Sequence, residues 1–469
     1  MSRRIITAGR VLPMVDGTRE IEADILIEDG RIAAIEPGIA AASDGSAEII
    51  DAQGGIVIPG FVDTHRHVWQ TQLRTVATDW SLFDYFVQMR LVYSTFYTAD
   101  DAHLGNHVGA LEALDAGITT LVDHCHILNT PDHVEAAARG LQETGIRGIF
   151  CYGTFPNEPR VPMPVPDDPG WRAAAARELR AARLADDHGR VRFGYAPAEA
   201  EAMDFDDLVA EIKLARELGA AAISCHAAMG AYAAGADIVG RLDERGLMGP
   251  DLLFVHGAAF TDAELDLIAA SGAGISATPE TELQMGMGFP VAHRATDHDV
   301  RTGLGIDIVS NYSGDMFAQM RLALQSTRAA RNAAFEARGE APSRITPDAA
   351  SVLQMATIGG ARAINMDAQI GTLEKGKQAD IAVISTDAIH MTPAFDAVGA
   401  LVMNARPSDV STVLVAGNVV KRDGQLVGVD WPDLRRKVTA SATRIMDGFR
   451  TVDIAALETA ARPVMPNLV

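Results

Sequence analysis

Two histidines stand one residue apart in VIPGFVDTHRHVWQTQLR, residues 57–74. His65 and His67 close a run of apolar and small side chains that reads as a buried strand. Residues two apart on a strand face the same side, so both imidazoles aim at one place. Later apolar runs end the same way: AAAISCH (220–226) in His226, LLFVHG (252–257) at His256, and RTGLGID (301–307) in Asp307. A lone histidine after an apolar run is more often a hydrogen-bonded core residue than a ligand. The set taken together, delivered by several strand ends, points to a metal site. Neutral imidazole with carboxylate suits Zn²⁺ or Fe²⁺. His124 and His126, in VDHCHILN, end another run and either line the pocket or orient a ligand from behind. His103, His107, His188, His293 and His298 fall in helical or loop segments and read as surface or structural residues.

Such strand ends need a scaffold that gathers them. Short apolar runs recur at 57–63, 117–125, 146–153, 191–197, 220–226, 252–257, 273–279 and 301–307, with Ala-rich helical segments such as DLVAEIKLARELG between them. Eight strand–helix units predict a (β/α)8 barrel, whose catalytic residues come from the C-terminal strand ends. A doubly wound sheet is the alternative, but no Gly-rich phosphate loop supports it. Residues 1–57 read as short strands with tight turns, and the same texture returns in 366–430. The expected organisation is a discontinuous β-sandwich from 1–57 and 366–430, a catalytic barrel over 58–365, and a C-terminal helical extension over 431–469.

The balance of charge narrows the partners. With 62 acidic against 40 basic residues the formal net charge is −22. Such a surface repels a phosphate backbone, so nucleic acid is not an expected partner. No apolar run is long enough to span a membrane, and the N-terminus lacks the apolar core of a signal peptide. Cys125, Cys151 and Cys225 sit in or beside apolar runs and read as buried free thiols, which suits a reducing cytoplasm. A cytoplasmic homo-oligomer acting on a small molecule is expected.

The motifs taken in order resemble the amidohydrolase superfamily, in particular its cytosine-deaminase-like and triazine-hydrolase-like members. PGFVDTHRH is similar to the superfamily's first-strand motif, and GTLEKGKQADIAVI with VLVAGNVVKRDG to its terminal sandwich. The resemblance covers nearly the whole chain. It implies one divalent metal ion per chain, zinc with iron as the alternative, held by His65, His67, His226 and Asp307. His256 would bond the attacking water or the developing oxyanion. Binuclear relatives carry a lysine at the end of the fourth strand, where this chain reads VRFGYAPAEAEA. The implied chemistry is hydrolysis of a nonpeptide C–N bond by metal-bound hydroxide, since a divalent ion lowers the pKa of water from about 15.7 toward about 7. Asp307 would shuttle the proton.

Two departures bear on the substrate. Deaminases of this group place a glutamate three residues after the fifth-strand histidine to protonate a ring nitrogen, and here that residue is Met229. Deamination of an N-heterocycle is the leading expectation. Cleavage of an amide, urea or carbamate, or hydrolytic dechlorination, is the alternative. Where relatives read HxPxSN on the seventh strand, this chain reads ATPETELQMGMG. Glu282 is the candidate proton donor in place of the missing acid, whereas Glu280 reads as a solvated carboxylate. Gln70, Trp80, His126, Met229 and Glu282 are the candidate substrate-binding residues. Trp80, Phe83 and Phe86 either close over an apolar ligand or anchor a core or subunit contact.

Overall fold

The structure, a computed structural model, describes residues 3–463 apart from 16 and 234. Eight parallel strands close into a barrel: β1 (Phe61–Arg66), β2 (Ile118–Cys125), β3 (Arg147–Gly153), β4 (Val191–Ala196), β5 (Ile223–Ala227), β6 (Leu252–His256), β7 (Gly274–Ala277) and β8 (Arg301–Leu304). Each strand pairs with its neighbours in sequence, and β8 returns to β1 through Leu304 opposite Asp63. These strands are buried on both faces, which is why they read as nearly continuous apolar runs rather than alternating ones.

The first strand begins later than the pattern 57–63 suggests. Ile56–Pro59 pairs antiparallel with Ile381–Ile384 and belongs to a second sheet. Pro59 and Gly60 mark the handover. A Cβ on Gly60 would come within 2.2 Å of the Thr119 side chain, so only glycine lets the chain pass β2 there. The expected boundary at 57/58 therefore falls within a sandwich strand.

Two sheets outside the barrel enclose a shared core. One orders Arg31–Glu36, Asp24–Glu28, Arg3–Thr7 and Glu48–Asp51. The other orders Gln425–Leu426, Asn418–Arg422, Val410–Val415, Ile381–Ile384, Ile56–Pro59, Arg10–Val11 and Ile21–Glu22. Ile6, Ile25, Ile27, Val57, Ile381 and Leu414 pack between them, so strands from before and after the barrel share one small sandwich. Arg147 of β3 ties the barrel to it, donating from Nε and Nη2 to Asp380 at 2.6 and 3.1 Å.

Five helices matter for the site: α1 (Ala99–Asp115), α2 (Pro279–Gln284), α3 (Met316–Glu336), α4 (Trp431–Phe449) and α5 (Ile454–Ala461). α1 starts in a capping box, in which Thr98 and Asp101 satisfy each other's backbone N–H groups. Asp101 also accepts from Ser441 at 2.6 Å and pairs with Arg444, fastening α4 to the barrel. Phe449 stacks on Tyr93 with ring centroids 4.0 Å apart. The segment 68–97, which follows β1, is thus held from outside by the C-terminal helices. Among the described residues no helix is long and apolar enough to cross a membrane.

Candidate metal centre and its cavity

The ends of β1 and β8 are laced together. The Asp307 N–H donates to the His65 carbonyl at 2.8 Å, and the His67 N–H donates to the Asp307 carbonyl at 2.7 Å. Asp63 adds a clamp, its Oδ1 accepting from Ile306 N–H at 3.0 Å and His65 N–H at 3.3 Å. These bonds hold two histidines and an aspartate in one register. His256 (φ 76°) and Asp307 (φ 67°) both adopt the left-handed backbone conformation. For non-glycine residues this costs on the order of 1–3 kcal/mol each and persists only where the surroundings enforce it.

The imidazole nitrogens can be assigned from their partners. His67 Nδ1 lies 2.8 Å from the His124 carbonyl, which can only accept, so Nδ1 carries the proton and Nε2 offers its lone pair. His226 Nδ1 lies 3.0 Å from Glu199 Oε2, which leaves its Nε2 free in the same way. His65 Nε2 and His67 Nε2 approach Asp307 Oδ1 to 3.2 and 3.3 Å. Both nitrogens of His65 are buried without a hydrogen-bond partner, a costly state that a cation relieves at the nitrogen bearing the lone pair. The ligating atoms of His65, His67 and Asp307 lie within 4.8 Å of one another, and so do those of His65, His124 and His226. Burial holds His65, His67 and His124 well below the ordinary histidine pKa, in the neutral form that binds metals. Burial opposes charge on His226 too, but Glu199 outweighs it and raises that pKa. The donor set and geometry fit a divalent ion.

His256 faces the same cavity. Its Nδ1 is 2.8 Å from Thr278 Oγ1, and burial pushes its pKa down to about 3. Glu282 stands behind it. Glu282 Oε1 accepts from the Thr278 N–H at 2.9 Å and lies 3.9 Å from His256 Nδ1. This carboxyl is fully buried, and burial raises its pKa to about 7.

The cavity is lined by His67, Leu82, Tyr85, Phe86, His126, Glu199, His226, Met229, His256, Thr281, Met285, Met287, Asp307 and Ile308. Of the candidate substrate-binding residues, His126 and Met229 line it, whereas Glu282, Gln70 and Trp80 are outside the lining. Gln70 braces a lining residue: its Nε2 donates to the Tyr85 hydroxyl at 2.7 Å and its Oε1 accepts from Ser310 at 2.9 Å. Trp80 lies beside Tyr93. Of the neighbouring aromatics Phe86 lines the cavity, while Phe83 packs on Val87 and Ala461. Glu199 and Tyr85 are not foreseen from the sequence. The signal for Glu199 is the acidic pair in AEAEA directly after β4; Tyr85 sits in a π-helical turn, Tyr85–Arg90, which has no sequence signature.

Residues 56–420 match the model of the Amidohydrolase family. A 5-methylthioadenosine/S-adenosylhomocysteine deaminase of Symbiobacterium thermophilum is 30% identical, the alignment covering 95% of this chain and 100% of that protein. A 5'-deoxyadenosine deaminase of Methanosarcina mazei is 26% identical over 92% of this chain and 95% of its own. An adenosine deaminase from Xanthomonas campestris, solved with bound zinc, superposes with a TM-score of 0.82 at 24% identity, covering 96% of this chain and 99% of the other. A triazine hydrolase from Arthrobacter aurescens gives 0.81 at 22% identity, covering 94% and 100%. At that identity the two structures share the fold. The chain belongs to the amidohydrolase family and is a metal-dependent hydrolase of carbon–nitrogen bonds other than peptide bonds.

Proposed function

We propose that the protein deaminates a small N-heterocycle hydrolytically, with His65, His67, His226 and Asp307 holding one divalent ion, zinc. The observation that carries this reading is the convergence of three lone-pair-bearing imidazoles and one carboxylate at the mouth of a barrel, next to a fourth, neutral imidazole. When bound, such an ion lowers the pKa of water and polarises the group under attack. His67 and His226 are oriented for it by the His124 carbonyl and Glu199. Asp307 takes the proton of the attacking water and passes it to the leaving nitrogen. A C–O bond forms, a C–N bond breaks, and ammonia leaves. With the Thr278 hydroxyl donating to its Nδ1, the neutral His256 carries its proton on Nε2 and presents that N–H to the reacting centre, where it steadies the developing charge. Leu82, Phe86, Met229, Met285 and Met287 wall the cavity and exclude bulk water.

Relatives named for 5-methylthioadenosine, S-adenosylhomocysteine and 5'-deoxyadenosine deamination support an aminated purine as the substrate class. One feature favours a second reading. Met229 lines the cavity where deaminases place their proton-donating glutamate, and Glu282 opens toward Thr278 rather than toward substrate. A substrate that needs no ring protonation, such as an amide, urea or carbamate, meets that arrangement. Ammonia measured across a panel of aminopurines, ureas and amides decides between them: release from an aminopurine supports deamination, and turnover confined to amides or ureas overturns it. The reading extends to a cytoplasmic homo-oligomer. Three buried free thiols agree with a reducing compartment, and the exposed Ile389 and Phe395 supply apolar surface for assembly. Sizing in solution tests the assembly.

A further inference from the structure

Arg90 closes the turn Tyr85–Arg90 and is 1% exposed. Its Nη1 donates to the His126 carbonyl at 3.4 Å, and its guanidinium lies over the Phe155 ring at 4.0 Å. Nε and Nη2 are buried with no hydrogen-bond partner, and among the described residues Arg90 makes no ion pair. Those two nitrogens form the edge of the guanidinium whose parallel N–H bonds match a carboxylate. Burial lowers the pKa only to about 10, so the charge persists at neutral pH. Glu199 is near enough to be felt by Arg90 but is committed to His226.

His126 adds a third donor. Trp69 Nε1 lies 3.0 Å from His126 Nδ1. An indole N–H only donates, so Nδ1 accepts, and the proton of the neutral ring sits on Nε2. That Nε2–H is buried and has no partner. His126 stacks on His67 at 4.0 Å and lines the cavity with Tyr85 and Glu199. The wall that His126 forms therefore presents an N–H donor that lacks an acceptor, and behind it, outside the lining but bonded to the His126 carbonyl, lies the buried charge of Arg90 with two more such donors. A protein seldom leaves such groups uncompensated.

We propose that Arg90 and His126 form a subsite for a carboxylate carried by the substrate, docked side-on against Arg90 Nε and Nη2. This rests on the reading of the cavity as the seat of a small-molecule hydrolase, and it specifies that the substrate is an anionic member of its class. The test uses nicotinate and nicotinamide, a carboxylate and a neutral amide on one ring, titrated calorimetrically into the zinc-loaded protein. Nicotinate is expected to bind at least about tenfold more tightly, and Arg90→Met to abolish that preference. The preference should survive in metal-free His65→Ala, which separates the subsite from direct coordination to the ion. Arg90→Met should fold with an equal or higher Tm, because an uncompensated charge has been removed; an arginine serving only structure would give a lower Tm. If Arg90→Met does not fold, Arg90→Lys, which keeps the charge but not the two-pronged edge, should weaken nicotinate about tenfold. No measurable nicotinate binding, equal binding of both probes, unchanged binding in either variant, or loss of the preference in His65→Ala overturns the proposal. Ammonia release is not part of this readout, so failure of the deaminase reading would be seen separately.

Discussion

At the scale of single residues, the proposed site separates groups assigned to hold an ion from groups assigned to work beside it. His65 has no partner for either nitrogen, so His65→Ala should lose both the ion and activity, read by metal analysis of the purified protein. His256 is held by Thr278, and its replacement by Asn should keep the ion while turnover falls by roughly 10²-fold or more. Equal metal loss in both variants would make His256 a ligand. Glu282 reaches His256 only from behind, so we assign it to positioning. Glu282→Gln should keep the ion, leave KM nearly unchanged and lower turnover by roughly tenfold; a loss of about 10²-fold or more, the range of a general acid, would restore it as the proton donor. The residues proposed to hold the ion stand out in the chain because each ends an apolar run, as His226 and Asp307 do. Glu282 misleads because a residue three beyond Pro279 can turn inward on a short helix, and spacing cannot say which side of His256 it occupies. Arg90 is silent in the sequence, where it is one arginine among many.

At the scale of elements, the helices that carry no ligand still set the site's shape. Glu280, on α2, exchanges hydrogen bonds with Gln319 of α3, at 3.1 Å in each direction. Burial, with Asp315 adding to it, raises its pKa to about 8, so it is not the freely solvated carboxylate its sequence suggests. A carboxyl with a raised folded pKa binds more protons folded than unfolded, so its contribution falls as pH rises from about 4.5 to about 8. Glu280→Gln should therefore gain stability relative to the wild type across that window, measured by denaturation at several pH values; a constant difference would refute it. On α4, Gly448 lies against Phe96, and an added Cβ would come within 2.4 Å of the ring. Overpacking of this kind costs about 1–3 kcal/mol, against about 1 kcal/mol gained in helix propensity. Gly448→Ala should lower Tm. The strand–helix alternation shows in the sequence because burial on both faces leaves apolar runs. The short helical turns of 68–97 do not, because packing against α4 and α5 shapes them and local pattern does not.

At the scale of the whole molecule, the Arg147–Asp380 pair is the most buried ion pair between the barrel and the sandwich among the described residues. Asp380 also accepts from the Ala416 N–H at 2.7 Å. Removing one partner of a buried pair strands the other's charge, which costs about 3–5 kcal/mol. Arg147→Met should lower the midpoint of chemical denaturation accordingly, while Arg147→Met with Asp380→Asn should recover part of the loss. The fold as a whole was legible from its repeated punctuation, but the handover at Pro59–Gly60 was not, since both sheets use the same apolar residues. That handover has a consequence in time. Ile56–Pro59 finds its antiparallel partner only in Ile381–Ile384, and the ribosome makes the entire barrel between the two. Until then the nascent chain carries an apolar strand with an unpaired edge, the kind of surface on which chains stick to one another. Synthesis of this protein therefore passes through a long interval in which β1 can be sound while its sandwich neighbour is still open, and nascent chains halted before residue 381 should bind chaperones that released full-length chains do not.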